Sequence, residues 1–176
     1  MHIAADCIGY FAVFLGLFSY VSTKRKPIYI MKGVTDALWV INLAMYGMYT
    51  AAFINCMNIG RTTVSYFRED KKWAAHRIWL PIFLAATLIS PILTWAGSIS
   101  LLPSIGSLLA CFGYYMHSPL ALKCFVLPGT ALWLVYGILS GNISLIVGNV
   151  LNVTSLSIGI VREIVALKKT HAKSEP

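Results

Sequence analysis

Two pairs of asparagines with the same spacing stand within apolar stretches of this 176-residue chain. Asn55 and Asn58 form the first pair, and Asn149 and Asn152 form the second. Residues three apart share one face of a helix, so each pair presents two amides in one direction. An amide offers two donors and an acceptor, which suits the hydroxyls of a sugar or the polar groups of an amino acid. The alternative is that each asparagine joins two helices through an interhelical hydrogen bond.

A tryptophan lies sixteen residues before the first asparagine of each pair. Trp39 precedes Asn55, and Trp133 precedes Asn149. Such a ring provides a flat wall on which a sugar ring could stack, while the alternative is the ordinary packing of a large side chain. The two patterns together predict a binding site for a small polar solute. Its candidate residues are Trp39, Asn55, Asn58, Trp133, Asn149 and Asn152.

Two charged residues, Asp36 and Arg61, stand well inside apolar stretches. Ionisable groups in a membrane are costly and usually pair with each other or serve function. The sequence predicts an Asp36–Arg61 ion pair, with Lys32, one helical turn before Asp36, as the alternative partner. The pair is interpreted either as structural or as part of a gate or coupling device.

A candidate hinge lies at Pro128-Gly129, since proline frees a backbone carbonyl and bends a helix. The alternative is a static kink. The chain has no carboxylate pair, nucleophile–base pair or metal-ligand spacing within its apolar stretches. We therefore expect no enzymatic activity, no cofactor and no metal.

The composition indicates that lipid is the main solvent of the chain. Hydrophobic residues make up 58% and charged residues 11%, and the mean hydropathy is +0.74, whereas soluble domains carry roughly 25% charged residues. These values exclude an ordinary soluble enzyme, a disulfide scaffold and a disordered tail. Seven apolar windows predict seven membrane-spanning helices. They cover residues 3–21, 30–47, 50–67, 78–95, 101–116, 122–139 and 143–166.

The net charge of +8 is concentrated in alternate links between these windows. Basic residues follow the first, third, fifth and seventh windows, and the other links carry no charge. The positive-inside rule then predicts a cytoplasmic C-terminus and an N-terminus outside. The charge is thus explained by topology, and membrane lipid, not nucleic acid, is the expected partner.

The chain also matches itself at an offset of 94 residues, without a gap. The segment that begins at Leu38 aligns with the segment that begins at Leu132, and the alignment pairs Gly47 with Gly141 and Arg68 with Arg162. The match predicts an all-α membrane protein of two parallel three-helix repeats, 1–69 and 98–166. Residues 70–97 would form a cytoplasmic loop and a linker helix, and residues 167–176 a basic tail. Parallel repeats are one known plan of membrane transporters.

Over nearly its whole length the chain resembles the YgjV-like bacterial inner-membrane proteins. The resemblance rests on LLPSIG (101–106), the Leu132-Trp133 pair, and the Asn149/Asn152 helix ending at Arg162. It implies a multi-pass protein of the bacterial cytoplasmic (inner) membrane. More distantly, the three-one-three helix plan is similar to the SWEET and SemiSWEET sugar transporters (PQ-loop, MtN3-like). That resemblance implies a central sugar site lined by tryptophan and asparagine.

Two functions follow as hypotheses. The first is a facilitator that moves a small polar solute, sugar-like or amino-acid-like, by alternating access. The alternative is a non-transporting membrane protein that keeps a SWEET-like fold. The alternative rests on the absence of glutamine from the chain, because the Pro-Gln motif of the wider superfamily is then missing.

Overall fold

The computed structural model describes residues 2–19, 25–68, 70–95, 97–115 and 118–174. Within these ranges all regular structure is helical. A short 3-10 turn, Ser98–Ser100, leads into the sixth α-helix. The α-helices are α1 (His2–Ser19), α2 (Arg25–Met45), α3 (Tyr49–Phe67), α4 (Lys72–Ala75), α5 (Trp79–Leu93), α6 (Leu101–Tyr115), α7 (Pro119–Ser140) and α8 (Ile143–Ser174).

Each of the seven apolar windows coincides with one long helix. The single turn α4, in the basic segment after α3, was not predicted. Helix α8 continues to Ser174. Most of the segment that was predicted as a basic tail, residues 167–176, is therefore part of this helix. By length and composition, α7 and α8 are apolar enough to cross a membrane, over Leu120–Ser140 and Ile143–Lys168.

Among the described residues many large apolar side chains are exposed and several polar side chains are buried, which is the opposite of the pattern in soluble proteins. Ile92 and Val161 are 76% and 60% exposed, whereas Asn42 and Asn142 are fully buried. Lipid has no hydrogen bonds to offer, so polar groups in a membrane protein turn inward and apolar groups face outward. This distribution fits a chain whose outer surface contacts hydrocarbon.

Six of the helices form a ring. Helix α2 packs between α1 and α3, and α7 packs between α6 and α8. Contacts of α1 with α8 and of α3 with α6 join the two triplets. Helix α5 lies outside the ring, against α3 and α6. The ring therefore brings the polar faces of helices from both halves toward one centre.

Helices α2 and α7 end in the same way, at positions that the sequence alignment pairs. Gly47 and Gly141 adopt left-handed backbone conformations, with φ of +72° and +66°. In each case the next residue's N–H donates to a carbonyl five residues back: Met48 to Leu43 at 2.9 Å and Asn142 to Gly137 at 3.1 Å. At each helix end this hydrogen bond pairs a backbone carbonyl that would otherwise have no partner.

Replacing Gly141 by alanine is expected to lower the free energy of unfolding by about 1–2 kcal/mol, the cost of a left-handed residue with a Cβ. Unfolding of the purified protein in detergent measures the change. Gly33→Ala is the control, because Gly33 lies within α2 with an ordinary backbone and open space around it. If the two variants unfold alike, the backbone conformation of Gly141 contributes no stability.

Candidate functional site

A cavity of about 140 Å³ lies between α2, α3, α7 and α8. This space exceeds the roughly 30 Å³ that one water occupies, and it is smaller than the roughly 300 Å³ at which pockets for drug-sized ligands begin. A small solute fits the site by size. All six predicted binding residues line this cavity: Trp39, Asn55, Asn58, Trp133, Asn149 and Asn152.

Two smaller spaces adjoin the central cavity. One, of about 120 Å³, extends toward α6, and the other, of about 70 Å³, extends toward α1. Lys32 and Asn152 line all three spaces. The interior of the ring thus holds a branched polar space that reaches both halves of the chain. A larger apolar groove of about 450 Å³ lies elsewhere, between α2 and α3, and shares no residue with these spaces.

Asn55 and Asn149 make equivalent hydrogen bonds in the two halves. The Asn55 Nδ2 donates to the Ala51 carbonyl at 3.0 Å, and the Asn149 Nδ2 donates to the Leu145 carbonyl at 2.9 Å. Each bond reaches one turn back along the same helix. Among the described residues neither amide has a hydrogen bond to another helix, which favours the cavity interpretation over the interhelical one for this pair.

The two tryptophans line the cavity because a glycine faces each of them. A Cβ placed on Gly148 would lie 3.2 Å from Trp39 Cζ2, and a Cβ on Gly106 would lie 3.0 Å from Trp133 Cδ1. Both rings also pack against an apolar core that includes Leu43. Each ring therefore packs against the protein and also borders the cavity, and the stacking of a solute on it stays a prediction.

The predicted ion pair between Asp36 and Arg61 is corrected by the structure. The Lys32 Nζ donates to Asp36 Oδ1 at 2.9 Å, so the alternative partner forms the pair. Lys32 lies one turn away on the same helix, where close approach requires no particular packing. The Arg61 Nη1 instead donates to the Cys111 Sγ of α6 at 3.0 Å. Asp36 is 3% exposed, and its Oδ2 is buried without a hydrogen-bond partner among the described residues.

The comparison with known proteins assigns the family. A family model named Imp-YgjV, described as a bacterial inner membrane protein, matches residues 3–166. The chain belongs to this family. No curated protein and no solved structure matches the chain. The match confirms the YgjV-like resemblance and the bacterial inner membrane as the location, and it includes all the residues that line the cavity.

In this Imp-YgjV protein a buried polar network closes one end of the ring. The Asn142 Nδ2 donates to Asn42 Oδ1 at 2.9 Å, and the Ser144 hydroxyl donates to Asn142 Oδ1 at 2.9 Å. The Asn42 Nδ2 donates to the Ala5 carbonyl of α1 at 2.7 Å. Three helices, α1, α2 and α8, are thereby joined. These are the interhelical amide bonds that the sequence suggested for other asparagines.

An apolar core completes this closed end. Leu43, Tyr136 and Leu145 belong to it, and the two cavity tryptophans pack on it from the other side. Leu145 also lines the cavity itself. The core therefore forms the cavity's wall toward the α2–α3 and α7–α8 turns, while Lys32 and Asp36 lie on the wall nearer the opposite ends of these helices.

The candidate hinge in this Imp-YgjV protein lies at a tight helix contact. Pro128 is inside α7, and a Cβ on Gly129 would lie 2.5 Å from the Gly106 carbonyl oxygen. The reverse placement, a Cβ on Gly106, would lie 2.7 Å from the Gly129 carbonyl oxygen. Close backbone approach thus explains why glycine occupies both positions, and the hinge role of Pro128 and Gly129 stays a prediction.

Sequence reasoning missed the residues of the closing network. Asn42 interrupts an apolar stretch just as Asn55 does, but position 136, its counterpart in the alignment, is tyrosine. The pattern of paired asparagines therefore does not single out Asn42. Asn142 lies directly after a helix-ending glycine, and its Oδ1 accepts from the Leu145 N–H at 3.0 Å, so it also caps α8. Among the described residues no group of three His, Cys, Asp or Glu side chains could hold a metal ion.

Proposed function

We propose that this member of the Imp-YgjV family is a facilitator that carries a small polar solute across the bacterial inner membrane by alternating access. One observation carries the proposal: six residues chosen from two distant parts of the sequence line a single cavity. The solute would be sugar-like or amino-acid-like, held by amide hydrogen bonds between two indole rings. Its site would lie between two halves that can rock against each other.

The proposed architecture has seven membrane-crossing helices in a 3+1+3 arrangement. Residues 1–69 and 98–166 form the two repeats, and α5, within residues 70–97, is the linker. The helix contacts support this arrangement. When α1, α2 and α3 are matched with α6, α7 and α8, the contact of α1 with α8 corresponds to the contact of α6 with α3. The paired glycine turns and the paired asparagine bonds support it as well. A duplication with parallel repeats accounts for all three.

The proposed orientation follows from the basic links, which place the N-terminus outside and the C-terminus in the cytoplasm. The end of the ring closed by Asn42, Asn142 and the apolar core would then face outward. The cavity wall with Lys32 and Asp36 would lie toward the cytoplasm. In this orientation the structure corresponds to a state closed to the outside, and opening would require the closing network to break.

The proposal assigns no reaction to the cavity. Its lining has one carboxylate, Asp36, which is paired with Lys32, and neither a second carboxylate nor a histidine or cysteine. A second candidate function is that of a non-transporting membrane protein with the same helix plan. The absence of glutamine, and hence of the Pro-Gln motif, is the observation that favours it.

Uptake into proteoliposomes tests the proposal, with a panel of small sugars, polyols, amines and amino acids. Asn149→Ala is expected to reduce uptake of the transported solute by about tenfold or more, since a buried hydrogen bond to the solute is lost. Thr154→Ala is the matched control. Thr154 lies on the exposed face of the same helix and makes the same type of bond, to the Val150 carbonyl.

Two results would contradict the proposal. One is the absence of uptake of every solute by the folded wild-type protein, which would favour the non-transporting alternative. The other is uptake that Asn149→Ala and Thr154→Ala change to the same extent, because the cavity would then not be the route.

A further inference from the structure

The central cavity holds a carboxylate whose hydrogen bonds are incomplete. Asp36 Oδ1 accepts from Lys32, but Asp36 Oδ2 is buried and has no hydrogen-bond partner among the described residues. Asp36 lines both the central cavity and the space toward α1. Leaving a buried acceptor unpaired is costly, and more so when the group is charged. A ligand that donates to Oδ2 would remove this cost.

The charges of the cavity lie on one wall. Lys32, Asp36 and Trp39 are spaced four and three residues apart on α2, so they share one helix face. In the second repeat the positions that align with Lys32 and Asp36 hold Val126 and Thr130. Duplication alone therefore does not account for the charged pair. The opposite wall offers the amides of Asn149 and Asn152.

We propose that the solute carries an ammonium group, which donates to the Asp36 carboxylate when a rotation about its Cβ–Cγ bond turns Oδ2 toward the cavity. The inference rests on the proposed function in that it uses the same cavity. A hydroxyl and an ammonium can both donate to this carboxylate, but only the ammonium adds the attraction between two opposite charges, so the site selects an amine over a neutral sugar or polyol. Trp39, which shares the helix face of Asp36, adds a ring on which the cation can rest.

The positive charge of Lys32, on the same wall, extends the proposed substrate class to zwitterions. The Lys32 Nζ is 2.9 Å from the carboxylate of Asp36 and lines the same cavity. A small solute with its ammonium on Asp36 therefore has a cation beside it for an anionic group. The volume of about 140 Å³ has room for a small amino acid. The cavity's substrate class is thus small amines and small amino acids.

Binding to the purified full-length protein in detergent tests this inference without requiring transport. Calorimetric titrations compare ethanolamine with ethylene glycol, which differ in one amine for one hydroxyl, and add glycine and alanine. The wild-type protein is expected to bind ethanolamine and the amino acids at least about tenfold more tightly than ethylene glycol. Sodium and potassium chloride form a further arm, since an inorganic cation is the other ligand that the Asp36 carboxylate would attract.

Asp36→Asn keeps the shape of the side chain and an oxygen for Lys32, while it removes the negative charge. It is expected to weaken binding of ethanolamine and alanine by at least about tenfold. Asp70→Asn is the control, because Asp70 is an exposed carboxylate after α3 and is not part of the cavity lining. Should Asp36→Asn fail to fold, the affinities of the wild-type protein for ethanolamine and for ethylene glycol still test the inference.

The outcomes separate this inference from the proposed function. Equal wild-type affinity for ethanolamine and ethylene glycol, or amine binding unchanged in Asp36→Asn, would overturn the ammonium assignment even if a neutral solute is transported. Asp36-dependent binding of sodium or potassium in place of any amine would overturn it too. Amine binding that requires Asp36, in a protein that transports nothing, would support the assignment and contradict the facilitator.

Discussion

Replacing Asn142 by alanine is expected to lower the free energy of unfolding by about 3 kcal/mol or more. The Asn142 side chain donates to Asn42 Oδ1 and accepts from the Ser144 hydroxyl and from the Leu145 N–H. Asn42, Asn142 and Ser144 are all fully buried. Each group left without a partner costs roughly 1–3 kcal/mol, and lipid supplies no substitute bond.

Denaturant titration of the purified protein in detergent measures this loss. Asn152→Ala is the matched control: Asn152 lies on the same helix and lines the cavity, without a hydrogen bond among the described residues. Its replacement is expected to change stability by less than about 1 kcal/mol, since no buried partner is stranded. Equal losses in the two variants would mean that the network does not hold the closed end together.

The same network gives a functional expectation for the facilitator. If the closed end must open during each cycle, the hydrogen bonds of Asn142 break and reform as the halves rock. Asn142→Ala, where it still folds, would then favour the outward-open state. Accessibility of a cysteine placed at Leu43 to an impermeant thiol reagent would rise in this variant, because Leu43 is fully buried in the closed end.

Gly129→Ala is expected to destabilise the protein by about 3 kcal/mol. Its Cβ would lie 2.5 Å from the Gly106 carbonyl oxygen, and a backbone atom cannot turn aside as a side chain can. Helices α6 and α7 must therefore separate, which also loosens the packing of Trp133 on Gly106. Overpacking in a tight core costs roughly 1–3 kcal/mol and sometimes more, and here it exceeds the roughly 1 kcal/mol that alanine gains over glycine in a helix.

The control for Gly129 is Gly159→Ala, measured by the same unfolding titration. A Cβ at Gly159 would meet the end of the Lys123 side chain, at 3.3 Å from Nζ, and this flexible chain can shift. We expect Gly159→Ala to be neutral or slightly stabilising. If Gly129→Ala is equally harmless, α6 and α7 are not locked together at this contact, which would favour the predicted hinge at Pro128-Gly129.

Much of the fold could be predicted because its signals are local. Apolar stretches long enough to form helices are visible in the sequence, and each of the seven coincides with a helix. The short α4 and the helical continuation of α8 could not be found this way, since both lie in basic segments without an apolar pattern.

The candidate site was predictable for a related reason. The offset of 94 residues pairs Trp39 with Trp133 and Asn55 with Asn149. An amide side chain within an apolar helix is driven toward the interior, because lipid cannot satisfy all of its donors and acceptors. Two similar halves packed in a ring then direct such residues to one centre, where the structure places all six.

The sequence by itself determined the seven long helices, that the chain belongs in a membrane, and the six residues that line the central cavity. Only the tertiary structure decided how those residues pair: Asp36 with Lys32, Asn42 with Asn142, and Gly106 against Gly129. The physical reason is that helix formation and burial depend on a residue and its neighbours along the chain. Pairing across helices depends on their rotation and crossing, which follow from the packing of all the side chains together.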